Sequence, residues 1–176
     1  QIESKSLMLA PNNIFSPSSG KPVMTPTQDI ALGIYFLTSF SQTFMLEARK
    51  NGGKDDQDRL PLLADINEVH TAFDEGALRL HDRIRYRNPD YQRETKFGDQ
   101  KKSAIVTTVG RVFFNEVWPD SIGFFNERVS KKLLGKLIEH CYEVAGHNET
   151  VRVLDSLKNL GFAQATAAGI SIGLSD

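Results

Sequence analysis

The chain has 176 residues, a formal net charge of -1 at pH 7, 40% hydrophobic and 24% charged residues. This length allows one domain or two small subdomains with a real core, and the near-neutral charge excludes the basic composition typical of a free-standing DNA-binding domain. The single cysteine, Cys141, excludes an internal disulfide, and no apolar run reaches the roughly 18–20 residues of a membrane span, so we expect a cytoplasmic location.

The first predicted elements are an irregular loop and a buried helix. Residues 10–26 contain four prolines, paired asparagines and a Ser-Ser-Gly turn, a composition that predicts a well-specified loop. A helix is predicted from Gln28 to about Phe40, with Thr27 as its N-cap. It is apolar nearly all round, which is typical of a helix buried inside a larger structure. Its most regular apolar face comprises Ile30, Ile34 and Leu37.

A charged stretch at about residues 47–60 follows, with Asn-Gly-Gly at its centre. This composition buries too little apolar surface to order itself, so we predict a solvated surface loop. Its acidic residues Asp55, Asp56 and Asp58 are interpreted as part of a solvated turn, with a cation site as the disfavoured alternative.

The next segment predicts a short helix and then a strand with one basic face. Asp65 and Glu68 form a capping-box-like start, and Gly76 ends the helix. Apolar and basic residues then alternate with a period of two, which predicts a half-buried strand. The basic face either contacts phosphate or is a solvated face, and both interpretations stay open. Its members are Arg79, His81, Arg83, Arg85 and Arg87.

Asn88-Pro89-Asp90 ends this strand, and the polar residues up to Ser103 predict a hairpin return with Gly98-Asp99 near its tip. Thr107 and Thr108 then predict a strand that enters a helix, which Pro119 stops.

Two helices with a short connection at Gly146 are predicted next, and they should pair antiparallel. The alternation in Gly169–Gly173 predicts a short terminal strand. Cys141 is expected in the core, and the four histidines lack the spacing of metal ligands.

Three distinctive sequence blocks occur in a fixed order along the chain. The blocks are Leu7-Met8-Leu9 with Asn12-Asn13-Ile14, Ser16-Pro17, Gly20, Pro22-Val23, Pro26 and Gln28-Asp29; Thr107-Thr108-Val109-Gly110-Arg111; and Gly161-Phe162 with Ala168-Gly169-Ile170-Ser171-Ile172-Gly173. Together they resemble the β′ subunit of bacterial DNA-directed RNA polymerase, over nearly the whole chain.

The resemblance implies an α+β fold, mainly helical with short strands and hairpins, as an internal fragment of a large multidomain subunit. It divides the chain into a pore-like region, residues 1–119, with a small insertion at about 47–60. Residues 120–176 would be the antiparallel helix pair with a terminal short strand, at the start of the funnel region.

The resemblance also implies a role in transcription by a nucleotidyltransferase. The chain would help wall the secondary channel, through which nucleotides enter, and support the active-site loop. The family's catalytic aspartates are absent from this sequence, so we expect the isolated fragment to be inactive and Mg²⁺ to be bound outside this chain. The implied partners are the β, α and ω subunits, the rest of β′, DNA, RNA and nucleotides, with no membrane.

The candidates for channel-lining residues are Gln28, Asn12, Asn13, Lys21 and Arg111. For the two asparagines, satisfying the backbone groups of their own loop is at least as good an explanation. The sequence leaves two other classes of protein to consider. A protein-interaction module with no catalytic role is the main alternative, whereas a small hydrolase is disfavoured because no nucleophile elbow or triad pattern is present.

Overall fold

The computed structural model describes residues 28–40 and 59–174, with side chains described up to residue 164. The proline-rich loop, Thr27 and nearly all of the predicted insertion therefore lie outside the described residues. The elements are, in chain order, α1 (Gln28–Leu37), β1 (Leu62–Leu63), α2 (Ile66–Asp74), β2 (Arg83–Arg87), β3 (Ala104–Thr108), α3 (Val109–Glu116), a 3-10 turn (Asp120–Ile122) and α4 (Lys131–Leu174). The predicted mainly helical α+β fold is confirmed.

The chain forms two compact units, and the division predicted at residue 119 stays a prediction. One unit runs up to Phe36 and resumes at Val129, and the other comprises Leu37–Arg128. Most of α1 thus belongs with the C-terminal helical segment rather than with the sheet that follows it in the sequence.

The Leu37–Arg128 unit is built on a three-stranded mixed sheet in the order β1-β2-β3. β1 pairs parallel with β2, and β2 pairs antiparallel with β3 in a register that places Ile84 opposite Thr107 and Tyr86 opposite Ile105. The core lies on one face of this sheet, against α2 and α3. Its buried members are Val69, Ile84, Tyr86, Ile105, Val109, Val112, Phe113 and Phe124.

The alternation predicted for β2 is confirmed, but the strand is shorter than expected. Ile84 and Tyr86 are buried and Arg87 is exposed. The strand begins at Arg83 instead of near Leu78, because residues 79–82 form a turn in which the backbone N–H of Arg79 donates to the Asp82 carboxylate at 2.8 Å. A local side-chain-to-backbone bond of this kind competes with strand pairing.

The predicted helix signals are also observed. The Asp65 carboxylate accepts a hydrogen bond from the N–H of Glu68 at 2.9 Å at the start of α2, and Gly76 follows its end with a φ of 79°. Thr108 caps α3 by accepting from the N–H of Arg111 at 3.2 Å. Each cap satisfies a backbone donor that the first helical turn leaves without a partner.

In the other unit, α1 packs closely against α4 through two glycines. Ala31 and Ile34 of α1 are buried. A Cβ atom placed on Gly33 would lie 2.1 Å from the carbonyl oxygen of Gly161, and one on Gly161 would lie 3.0 Å from the carbonyl oxygen of Ile30. The two backbones therefore approach to a distance that no larger side chain permits at Gly33.

The backbone of α4 departs from regular helix geometry at Gly146. Gly146 has a φ of 84°, and the Thr150 hydroxyl lies 3.7 Å from the Cys141 thiol. Nine residues of straight helix would separate these positions by about 13.5 Å. The antiparallel pairing of the two halves of α4 stays a prediction, and this contact supports it.

The predicted terminal strand at Gly169–Gly173 is wrong, because α4 continues as helix to Leu174. The alanine-rich run before it favours helix, and five alternating residues are too few to outweigh that propensity. Over residues 28–40 and 59–174, no helix has both the length and the apolar character needed to cross a membrane.

The close approach of α1 and α4 predicts that Gly33→Ala destabilises the chain by about 1–3 kcal/mol, because the new Cβ forces the two backbones apart. Gly135→Ala is the matched control, since a Cβ there meets nothing within 4 Å. It should gain about 0.5–1 kcal/mol from helix propensity alone. Chemical denaturation of the two variants measures both values, and equal effects would contradict the close packing.

Candidate functional site

A cleft of about 860 Å³ lies in the Leu37–Arg128 unit, next to β3. Its walls come from Phe40, which follows α1, from the β2–β3 connection and from the segment after the 3-10 turn. Its floor holds a buried arginine. The lining residues used below are Phe40, Arg83, Asn88, Lys102, Arg111 and Asn126.

Arg111 is the central residue of this cleft, although only 5% of it is exposed. Its Nε donates to the carbonyl oxygen of Thr38 at 2.9 Å. One terminal nitrogen donates to the backbone and side-chain oxygens of Asn126, at 3.1 and 3.2 Å. The guanidinium also lies 4.3 Å from the ring centroid of Phe40. One side chain therefore joins three segments that are distant in sequence.

The backbone at Gly110, next to Arg111, is in close contact with the backbone at the end of α1. A Cβ on Gly110 would lie 2.0 Å from the carbonyl oxygen of Leu37. Glycine therefore lets the start of α3 touch the last residue of α1, and Arg111 then binds the next carbonyl group along, that of Thr38. The two contacts together hold the end of α1 against α3.

The environment of Arg111 lowers its pKa without removing its charge at neutral pH. Burial, reinforced by the cation of Arg128, lowers the pKa of Arg111 from its ordinary value to about 10, while Glu127 opposes the shift. A buried cation is costly unless hydrogen bonds and nearby charges compensate for lost water. The carbonyl groups of Thr38 and Asn126 and the Phe40 ring supply that compensation.

Two asparagines support the wall that carries Asn126. The amide of Asn115 donates to the Phe125 carbonyl at 2.9 Å and accepts from the Phe125 N–H at 2.7 Å, as a strand partner would. The Asn126 amide donates to the Val106 carbonyl of β3 at 2.8 Å. The Asn126 oxygens that Arg111 contacts are therefore held in place by other bonds.

The opposite wall, the β2–β3 connection, is fixed by Asn88 and Asp90. The Asn88 amide donates to the carbonyl groups of Asp99 and Lys102 at 2.5 and 2.7 Å. The fully buried Asp90 carboxylate accepts from the Phe124 N–H at 2.6 Å and from Arg93 at 3.0 Å. This polar connection is therefore ordered by its own buried hydrogen bonds.

The structure separates the predicted channel-lining residues. Asn12, Asn13 and Lys21 lie outside the described residues. Gln28 is the first residue of α1 and is exposed. Arg111 lies on the cleft floor with its donors directed at protein groups, which supports a structural role. A channel role for any of the five stays a prediction.

The members of the predicted basic face differ in their surroundings. Arg83 is half-buried and lines the cleft. The Nε of Arg85 donates to the carbonyl of Leu60 at 3.1 Å, whereas Arg87 is exposed. Arg79 is exposed but belongs to the turn before β2. The face is thus shorter than predicted, and its contact with phosphate stays untested.

The sequence reading missed the residues that organise the cleft. The sequence pattern predicts Asn88 and Asp90 only as residues that end a strand. It gives no indication that Asn126 has a role in the cleft. The Asn-Pro-Asp order at 88–90 was the available clue, because an Asx side chain can accept from the N–H two residues on, as Asn88 does from Asp90 at 2.9 Å. Over the two described ranges, no three His, Cys, Asp or Glu side chains converge as a metal site would require.

The Arg111 network predicts that Arg111→Lys lowers the free energy of unfolding by about 1–3 kcal/mol. Lysine keeps the charge but cannot reach Thr38 and Asn126 together, so a buried acceptor loses its partner. Arg87→Lys is the control, because an exposed arginine outside this network should change stability by no more than about 0.5 kcal/mol. Equal losses in denaturant titrations would show that the Arg111 geometry is unimportant.

Comparison with known proteins supplies the family. The family described as RNA polymerase Rpb1, domain 3, matches residues 13–176. The chain is 52% identical over its whole length to a DNA-directed RNA polymerase subunit beta′ from Methylacidiphilum infernorum, and 50% identical over 99% of its length to the one from Opitutus terrae. The subunit from Chlamydia felis is 44% identical over the whole chain.

The chain spans only 12% of the length of each of these relatives. The matched residues include the three-stranded sheet, the cleft and the helices α1 to α4. The chain belongs to the RNA polymerase Rpb1, domain 3 family, and its similarity to β′ subunits confirms the resemblance of its sequence blocks.

Proposed function

We propose that this chain is a part of the β′ subunit of a DNA-directed RNA polymerase and serves transcription in the cytoplasm. The observation that carries the proposal is the match at 52% identity to such a subunit along the entire chain. Identity at that level along the whole chain leaves no segment of it unaccounted for. The chain would act as a non-catalytic part of a nucleotidyltransferase.

Its proposed task is to help wall the secondary channel and to support the active-site loop. A wall of this kind must keep its shape while nucleotides or RNA pass, and the buried bonds of Arg111 and Asp90 supply that rigidity in the Leu37–Arg128 unit. Gln28 is exposed at the first turn of α1, where its amide can both donate to and accept from a nucleotide or an RNA end.

The proposed partners are the β, α and ω subunits, the rest of β′, and the nucleic acids and nucleotides of the assembled enzyme. Exposed apolar side chains fit an internal piece of a larger assembly, since Phe162 is 69% exposed and Val144 is 48% exposed. Mg²⁺ would stabilise the attacking and leaving oxygens of the transfer reaction, and other parts of β′ would hold it.

A segment exchange tests this proposal. The matching segment of the Methylacidiphilum infernorum subunit is replaced by this chain, and a parallel exchange uses the Opitutus terrae segment as the control. We expect the subunit that carries this chain to assemble into core enzyme and to transcribe at a rate similar to that of the control, because this chain is 52% identical to the segment that it replaces. Assembly or transcription by the control alone would overturn the proposal.

The channel role of Gln28 gives a sharper prediction. Gln28→Ala in the exchanged polymerase should alter elongation or cleavage of backtracked RNA and leave the unfolding of the 176-residue chain unchanged. Gln100→Ala, at an exposed glutamine of the β2–β3 connection, is the control and should change neither. A loss of about 1 kcal/mol in stability, the size of a lost helix cap, with normal transcription would assign Gln28 a structural role instead.

A further inference from the structure

Positive charge is concentrated in the hairpin of β2 and β3. Residues 79–102 contain eight Lys and Arg residues but only four Asp and Glu residues, whereas the whole chain has a net charge of -1. One of the four acids, Asp90, is fully buried and paired with Arg93. The surface of the hairpin is therefore basic in an otherwise nearly neutral chain.

Five of these cations form what we call the basic hairpin surface: Arg83, Arg85, Arg87, Lys101 and Lys102. Arginines at alternate positions of β2 recur about every 6.8 Å along one face of the strand. Arg87 pairs with Ala104 across the hairpin, and the Asn88 amide binds the Lys102 carbonyl at 2.7 Å, so Arg87, Lys101 and Lys102 lie at the same end. Arg83 and Lys102 both line the cleft.

This surface is held in position rather than carried on a loose loop. Asn88 fixes the carbonyl groups of Asp99 and Lys102, and the Arg85 Nε is bound to the Leu60 carbonyl. Cations on a fixed frame bind a charged ligand without a large ordering cost. Asp99 and Glu127 also line the cleft and reduce its positive charge, so the anion site is strongest at the end of the hairpin that carries the exposed Arg87, Lys101 and Lys102.

We propose that the basic hairpin surface binds the phosphate backbone of single-stranded RNA, without regard to base sequence. The proposal rests on the proposed function, in which RNA passes this part of the polymerase. A row of cations matches the repeating charge of a phosphate backbone. Lys101 and Lys102 disfavour a protein partner, because lysine is depleted at protein interfaces, although arginine is enriched there. Tyr91, which is 45% exposed in the β2–β3 connection, offers a ring on which a base can stack.

The test measures binding of a fluorescent oligouridylate to the full 176-residue chain at salt concentrations between about 50 and 200 mM. The variant carries Arg87→Gln, Lys101→Gln and Lys102→Gln, three exposed side chains. The control carries Lys131→Gln, Lys132→Gln and Lys136→Gln, which remove the same charge from exposed positions of α4. Circular dichroism checks that both variants keep the fold.

We expect the hairpin variant to raise the Kd on the order of a hundredfold at the lowest salt and to reduce the slope of log K against log salt by about 2. The control should change both values little. Equal weakening by the two variants, or weakening by neither, would overturn the proposal, as would tighter binding of an acidic peptide of equal charge. If the polymerase with the exchanged segment transcribes and one of these contradicting binding results is obtained, the hairpin inference has failed while the proposed function still holds.

Discussion

The buried guanidinium of Arg111 is the interaction on which the Leu37–Arg128 unit depends. It connects the carbonyl of Thr38, 73 residues earlier in the chain, to both oxygens of Asn126, 15 residues later. No apolar side chain could replace it, because those carbonyl groups would then be buried without a donor. The fork of the guanidinium, with donors in fixed directions, is what allows one residue to serve three segments.

The neighbours of Arg111 are arranged so that its charge can be buried. Gly110 admits the backbone of Leu37, Phe40 places its ring beside the cation, and Asn126 is held by its bond to β3. The connection between β2 and β3 also contains a compensated buried charge, which is negative: the Asp90 carboxylate accepts hydrogen bonds from Arg93 and from the Phe124 N–H. Each of these two walls of the cleft is therefore fixed by one compensated buried charge.

The parts of the fold that were predicted from the sequence are those that local chemistry determines. The cap at Asp65, the stop at Gly76 and the alternation of Ile84 and Tyr86 depend on residues only a few positions apart. The bond from Arg111 to Thr38 spans 73 residues, and no periodic pattern specifies such a contact. The strand expected at Gly169–Gly173 failed for the opposite reason, because a short local pattern was overridden by the helix that precedes it.

Hydrogen exchange at the Arg111 Nε–H, followed by nuclear magnetic resonance of the 176-residue chain, tests the central claim most directly. If this N–H is buried and bound to the Thr38 carbonyl, it should exchange as slowly as the backbone amides of β2 and β3, since all of them need the same opening of the unit. Exchange as fast as that of the exposed Arg87 would contradict the account, because Arg111 would then be solvated and could not hold the three segments together.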